Sequence, residues 1–527
     1  MQAWPLTVNK FIEHAARWHG SRTVVSRAFD GSINRMSWAD IHRHAAHLSN
    51  ALVAYGIGQG DRVATLAMNS GRHVAAWYGI MGMGAICHTL NPRLSVEQLV
   101  YIINHAADRI VFVDRQFMPL IEQLQPQCPS LQTAIILDED GQGCWDAFVD
   151  GQSDSFDWGA FDENSGAGLC YTSGTTGNPK GVLYTHRSNY LHTMMALQPD
   201  ALGIGVREVI MPVVPMFHAN GWSIPFAASA AGCKMVMPGA HLDGQSLHDL
   251  IEKESVTLVA GVPTVWFGLL EYVRKNGKEF TSLKRLFVGG AACAESLIRD
   301  FADYGVDVVH TWGMTELSPI GTVGRLTPEV LDLADDEQLG YRMAQGRPLL
   351  GIDMRVADEN GQELSRDGAT IGAIQVRGQA IVGRYFRAEE IALNDDGFFD
   401  TGDVGTIDAR GYMRITDRAK DVIKSGGEWI SSVDLENAAM SHPGVQLAAA
   451  VGIAHPKWNE RPLLLVKRKA GNDVTEEDIH DVLARKLARL AIPDAILFTD
   501  DIPLGATGKI DKKRIRADYK DFYVERG

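Results

Sequence analysis

The stretch "YTSGTTGNPKGV" (Tyr171–Val182) packs seven Gly, Ser or Thr residues and one cation, Lys180, into twelve positions. Gly174 and Gly177 free the backbone to bring N–H groups close to an anion. The hydroxyls of Thr172, Ser173, Thr175 and Thr176 can donate to phosphate oxygens, and Lys180 adds a point charge. The run before it, "GAGLCY" (Gly166–Tyr171), reads as a strand. The loop therefore lies at a strand end, where α/β sheets bind their ligands. It is not a Walker A loop. Asn178 and Pro179 separate Gly177 from Lys180, and Gly181 stands where that motif needs a magnesium-binding hydroxyl. The string reads as a phosphate cradle of another kind.

Outward from this loop, short β-rich runs alternate with helical patterns. "DRVATLAM", "AICHTL" and "RIVFVD" precede it, with the packed helix "SGRHVAAWYGIMGMG" among them. "VIMPVVPMF", "KMVMPG", "VTLVAGVP", "RLFVGG" and "VDVVHTWG" follow. The alternation predicts α/β architecture with largely parallel sheets. Beyond about Gly340 the runs shorten and end in Asp-Glu-Asn-Gly and Asp-Ala-Arg-Gly turns, which predicts antiparallel sheet or a small distorted β-barrel. The last hundred or so residues read as a compact α+β unit. In it "VTEEDIHDVLARKLARLAIP" predicts an amphipathic helix with Ile479, Val482, Leu483, Leu487 and Leu490 on one face, Thr475 as N-cap and Pro493 as stop. The texture changes near "TDRAKD", which divides the chain into units 1–417 and 418–527.

Composition narrows the class. The chain has 527 residues, 45% hydrophobic and 22% charged, as in soluble globular proteins. Its net charge of -15 argues against nonspecific binding to nucleic acid or anionic membranes. No apolar run is long enough to span a bilayer. The first twenty residues lack a signal peptide's apolar block. The six cysteines are scattered without metal-ligand spacing and suit a reducing compartment. The expectation is a cytoplasmic protein.

Further motifs follow the loop in order. "FVGGAAC" (Phe287–Cys293) is a glycine turn after a strand. "VHTWGMTELSP" (Val309–Pro319) offers an aromatic face at Trp312, a hydroxyl at Thr315 and a carboxylate at Glu316 that can hold magnesium. "FFDTGDVG" (Phe398–Gly405) sets Asp403, suited to a ribose diol, after a Thr-Gly turn. "TDRAKDVIKSGGEWIS" (Thr416–Ser431) and "DDIPLGATGKIDKKRI" (Asp500–Ile515) complete the series. Together these strings resemble the adenylate-forming superfamily of acyl-CoA synthetases, peptide-synthetase adenylation domains and firefly-type luciferases. The resemblance spans essentially the whole chain. It implies a large N-terminal domain of mixed and parallel sheets, hinged to a small mobile C-terminal α+β domain. It implies ATP, Mg²⁺ and coenzyme A as cosubstrates and cofactor. By the same resemblance Thr172, Ser173, Gly174, Thr175, Thr176, Gly177 and Lys180 meet the ATP phosphates. Gly290, Ala291 and Ala292 wall the adenine, with His310, Thr311, Trp312, Gly313, Met314 and Thr315 beside it. Glu316 holds the metal, and Asp403 and Arg418 the ribose. Lys509 is the catalytic lysine that bridges carboxylate and α-phosphate. Lys420 is the hinge, and Lys424, Gly426, Gly427 and Trp429 lie on the loop of the thioester-forming state.

The acid is addressed by "VPMFHANGWSIPF" (Val214–Phe226). His218 and Trp222 are four apart and share a face if the segment is helical. By resemblance His218 occupies the aromatic, catalytic position beside the acyl pocket. Trp222 resembles the gate of the medium- and long-chain fatty acyl-CoA synthetase branch, which also holds ligases for 3-methylmercaptopropionate and is often dimeric. Little counter-charge is evident for a second carboxylate. The expected function is an ATP- and CoA-dependent ligase for an apolar monocarboxylic acid of medium-chain or methylmercaptopropionate type. The alternatives are an aryl- or other acyl-CoA ligase, or an enzyme that loads a carrier protein.

Overall fold

The computed structural model describes residues 1–137, 144–172, 178–418, 420–425, 428–505 and 509–523, with the backbone alone at 428–429. Two large sheets dominate the first 350 residues or so. One has six strands, in the order Thr133–Ile136, Ile110–Val113, Arg62–Leu66, Ile86–Thr89, Gly166–Tyr171 and Gly181–Thr185. Its first five strands run parallel, as the alternating pattern predicts, and the sixth returns antiparallel. The other has nine strands. Its centre is parallel, from Asp307–Gly313 through Arg285–Val288, Leu258–Gly261, Val209–Pro212 and Lys234–Met237 to Thr23–Arg27. Antiparallel strands flank both ends.

Helices join the two sheets into one core. Trp38–Tyr55 starts on a capping box between Ser37 and Asp40 and stops at Gly56, whose φ of 91° suits glycine. Gly71–Gly82 is buried on every side, as its apolar circumference requires. The two helices approach so closely that a Cβ at Gly79 would lie 2.8 Å from the Ala45 carbonyl oxygen. Trp38, Trp77, Tyr78 and Phe226 are fully buried in this core.

After it comes a four-stranded antiparallel sheet: Ile352–Ala357, Gly372–Gly378, Phe399–Ile407 and Met413–Arg418. Of the two expectations, antiparallel sheet or small distorted barrel, the strands form the sheet, paired in series with no closing pair, among the described residues, between the first and the last. The C-terminal sheet has five strands, with Ala495–Phe498 parallel to Asn459–Arg468. Its two hydrophobic clusters are built only from residues at or beyond Ile423. The predicted amphipathic helix begins at Thr475 in a capping box but ends at Lys486, well before Pro493. Ile479 and Leu483 are buried, and Leu487 and Leu490 pack on the same cluster from beyond the helix end. Leu487 is already extended, so a short 3₁₀ turn, Arg489–Ala491, carries Leu490 inward instead.

All six cysteines are buried and none forms a disulfide. Among the described residues no helix is long and apolar enough to cross a membrane.

Candidate active site

The phosphate-type loop connects two antiparallel strands, so strand–loop–strand replaces the strand–loop–helix of a Walker site. Its ends are tied: the Thr172 N–H donates to the Lys180 carbonyl at 2.9 Å, and the Lys180 N–H to Thr172 Oγ1 at 3.4 Å. Ser173, Gly174, Thr175, Thr176 and Gly177 lie outside the described residues. The Lys180 ammonium is exposed and sits 4.8 Å from the centre of the Tyr385 ring.

The strand after the loop, Gly181–Thr185, meets the turn that follows strand Asp307–Gly313 through Tyr184. A Cβ at Gly313 would lie 2.0 Å from the Pro319 carbonyl oxygen, so only glycine permits the bulged return of the chain there. The turn Thr315–Leu317 then presents Glu316, which is buried. Burial pushes its carboxyl above the usual range, opposed by the Tyr385 hydroxyl, which donates to Oε1 at 2.8 Å. Tyr184 fixes the same turn, its hydroxyl donating to the Thr315 carbonyl at 2.7 Å. His310 and Thr311 direct their side chains to the backbone carbonyls of Met343 and Val288. The Met314 N–H donates to the Pro319 carbonyl.

Asp403 is buried between two donors. Arg418 Nε lies 2.7 Å from Oδ1, and the Trp312 indole N–H donates to Oδ2 at 2.8 Å. Trp312, expected to offer a stacking face, is 7% exposed and tethered by its edge. Burial pushes the Asp403 carboxyl above its usual range, opposed by the Arg418 guanidinium and the Trp312 N–H, and the two donors fix the direction of its oxygens, as a diol receptor requires.

Lys509 reaches this centre from the C-terminal unit. Its Cε lies beside Gly290, where an added Cβ would meet it at 3.5 Å, an ordinary contact; the φ of 81° is what favours glycine there. Burial and the Arg418 guanidinium bring the Lys509 ammonium down to about 8, against the pull of Asp403. Ala291 is exposed and Ala292 half-buried beside it.

Lys509 also lines a narrow pocket walled by Val214, Phe217, His218, Trp222 and Val262. His218 is neutral at physiological pH, because burial and the nearby Lys509 lower its pKa to about 4. His218 and Trp222 meet here, but not on a helix. His218 is extended, and Ala219 through Ser223 all have positive φ, from 36° to 56°. The left-handed turn swings the indole over Gly289, where a Cβ would lie 2.5 Å from the ring.

Two family models match the chain: the AMP-binding enzyme over residues 11–386 and the AMP-binding enzyme C-terminal domain over 434–509. The chain belongs to the AMP-binding enzymes. It is 44% identical to a 3-methylmercaptopropionyl-CoA ligase of Ruegeria lacuscaerulensis, over 99% of this chain and 98% of the relative. It is also 44% identical to a medium-chain-fatty-acid–CoA ligase of Ectopseudomonas oleovorans, over 98% and 97%. The ATP-bound crystal structure of MatB from Rhodopseudomonas palustris superposes with a TM-score of 0.84 at 27% identity, covering 98% of this chain and 100% of that one.

In this AMP-binding enzyme three site residues escape a reading of the sequence. Tyr385, in "GRYF", touches both Glu316 and Lys180. Gly289 makes room for Trp222. Arg93, in "NPRL", lines the pocket beside His218 and Trp222 with its guanidinium 5.8 Å from the Phe217 ring centre, a positive charge that no motif announces. Only the fold brings these distant residues in. Among the described residues no cluster of three or more His, Cys, Asp or Glu could hold a metal. A single buried carboxylate fits magnesium, which arrives on nucleotide phosphates and takes one or two protein ligands.

On the C-terminal side, Lys420 sits in a turn just after Arg418, and Lys424 is exposed on strand Ile423–Ser425, paired with Trp429 across a hairpin. Gly426 and Gly427 lie outside the described residues. The Lys424 N–H donates to Glu460 Oε2 within the C-terminal sheet. Lys486 reaches back to Glu295 at 3.2 Å.

Proposed function

We propose that the protein is an AMP-forming acyl-CoA ligase for an apolar monocarboxylic acid. The observation that carries the reading is the meeting of Lys509 with an apolar cavity on one side and the Asp403–Arg418 pair and Glu316 on the other. A carboxylate is a poor acyl electrophile, because its leaving group would be oxide. Attack of the acid's oxygen on the α-phosphorus of ATP displaces pyrophosphate and converts that oxygen into part of a good leaving group. Lys509 offsets the negative charge that gathers between carboxylate and α-phosphate. Asp403 and Arg418 hold the ribose, and Trp312 holds Asp403. Lys180, Thr172 and the rest of the loop receive the leaving pyrophosphate, and Glu316 is the magnesium ligand. Bound magnesium supplies charge neutralisation to the phosphates. CoA thiolate then attacks the acyl carbonyl, and AMP departs.

The second step needs Lys509 out of the way. We read residues 1–417 and 418–527 as two domains, with Lys420 as the hinge and the Lys424–Trp429 hairpin arriving beside the acyl carbonyl as Lys509 leaves. The separate C-terminal core and the gap between the two matched families support this division. A cytoplasmic homodimer completes the reading, which light scattering of the purified protein tests.

A 3-methylmercaptopropionate or medium-chain fatty acid suits the apolar wall of Val214, Phe217, Trp222 and Val262 and agrees with the acids in the relatives' names. Arg93 favours a second reading, an acid with a further anionic group. One assay decides. The protein is incubated with Mg²⁺-ATP, CoA and a panel of acids, from propionate to palmitate with methylmercaptopropionate, benzoate, cinnamate and the dicarboxylates succinate and adipate, and read by mass spectrometry. Acyl-CoA with AMP is expected for an apolar acid. Acyl-CoA from a dicarboxylate alone establishes the second reading. ADP in place of AMP contradicts both.

A further inference from the structure

The segment from Ala380 to Phe386 straps the metal corner to the phosphate loop. At one end Ser318 Oγ donates to the Ala380 carbonyl at 2.8 Å, and the Val382 N–H donates to the Glu316 carbonyl at 2.8 Å. At the other the Phe386 N–H donates to the Gly181 carbonyl at 2.7 Å, directly after Lys180. The contact at Gly181 is close: a Cβ there would lie 3.1 Å from Phe386 Cβ. Between these anchors the Tyr385 side chain turns inward. Its hydroxyl donates to Glu316 Oε1 at 2.8 Å, and its ring lies 4.8 Å from the Lys180 ammonium. One side chain therefore touches the carboxylate on one side of the nucleotide site and the cation on the other. Among the described residues no close ion pair holds the Lys180 ammonium, although Glu316 feels its charge, so the ring face is the contact it keeps.

We propose that Tyr385 is a positioning residue for the metal–triphosphate: its hydroxyl fixes Glu316 so that the second carboxylate oxygen faces the cation, and its ring holds Lys180 at hand for the phosphates. The proposal rests on the reading of Glu316 and Lys180 given above. Partners that orient a metal-binding carboxylate govern affinity as well as geometry, and their removal typically costs about 10- to 100-fold. An ammonium resting on a ring face is released without breaking an ion pair, so the phosphates gain it cheaply.

The test uses the full chain without acid or CoA. Binding of Mn²⁺ to the enzyme–ATP complex is followed by electron paramagnetic resonance, and binding of metal-free ATP in EDTA by calorimetry. Tyr385→Phe is expected to raise the Mn²⁺ dissociation constant about tenfold while leaving metal-free ATP binding within about twofold, because the ring stays under Lys180. Tyr385→Leu is expected to weaken both, and Lys180→Met to abolish the difference between the two Tyr385 variants in metal-free binding. Thermal melts establish that each variant folds. Wild-type Mn²⁺ affinity in Tyr385→Phe, with Glu316→Gln weakened, overturns the proposal alone. Wild-type Mn²⁺ affinity in Glu316→Gln overturns the underlying reading and the proposal with it.

Discussion

In the proposed reaction Lys509 is useful only as a cation, and burial with the Arg418 guanidinium brings its pKa down to about 8. The charged form dominates below that value and is lost above it. The kcat/KM of the adenylation step, followed by pyrophosphate release, is therefore expected to fall as pH rises through about 8. A profile that stays flat well above that pH contradicts the role. Lys509→Ala is expected to slow adenylation about 10²- to 10³-fold, the scale of removing one preorganised charge-stabilising group. Thioester formation from supplied acyl adenylate should change only a few-fold; equal loss of both half-reactions counts against the assignment. Trp312 makes a second residue-scale prediction. Its N–H is one of two side-chain donors to a buried carboxylate, and such bonds contribute about 1.5–3 kcal/mol. Trp312→Phe should raise the KM for ATP by roughly tenfold or more, leaving the KM for the acid unchanged. The family resemblance singled these residues out, each in a short string: a carboxylate after Thr-Gly, a lysine after Thr-Gly, an acid after Met-Thr. Tyr385 and Arg93 were not singled out. An aromatic in "GRYF" and a cation in "NPRL" carry no pattern, and a tertiary path brings each to the site. For Trp312 the sequence showed an aromatic ring but not which edge of it was tethered.

At the level of elements, hydrophobic runs located the strands, because a buried parallel strand must be apolar on both faces. The turn at Ala219–Ser223 was illegible for the opposite reason. Five successive residues take positive φ, yet the string "ANGWS" has a single glycine to announce it. Each non-glycine residue in that region costs roughly 1–2 kcal/mol, so surrounding packing enforces the turn. Ala219→Gly removes part of that strain but loosens the unfolded chain, and a net gain of about 0.5–1 kcal/mol is expected in denaturant unfolding. A loss of stability would show that the turn is not strained. Gly289 is the turn's counterpart. Gly289→Ala would set a methyl 2.5 Å from the Trp222 ring and 2.6 Å from Thr311 Oγ1. The indole must shift, so the preference among acids of different chain length should change while the KM for ATP holds. An unchanged acid profile would remove Trp222 from the gate. The helix at Glu476–Lys486 shows the limit of periodicity: leucines at 487 and 490 fit the helical face, yet a 3₁₀ turn buries them equally well.

Across the whole molecule, the boundary proposed near Arg418 rests on a change of strand texture that coincides with charged, small residues. The open four-stranded sheet was not distinguishable from a barrel, since closure depends on strand pairing that turns do not encode. The hinge makes a testable demand. No described backbone bond uses the Lys420 N–H as donor, so Lys420→Pro removes conformational freedom without removing a described hydrogen bond. Adenylation should survive within a few-fold, and thioester formation should fall at least about tenfold, because the domain cannot turn. Equal rates in both half-reactions would refute the hinge. The Lys486–Glu295 contact between the same units is exposed, and surface pairs contribute about 0–1 kcal/mol, so it steers the docked state without locking it. The six buried cysteines carry a consequence of another kind. A ligase that hands acyl groups to a thiol meets that thiol's disulfide in the same solution, and thiolates attack disulfides. Burial pushes Cys128 and Cys170 up to about 11 and Cys233 and Cys293 up to about 12. The folded enzyme thus presents oxidised CoA with no partner for exchange. Its thiols become reactive only when the chain opens, which makes their titration a direct count of unfolded molecules.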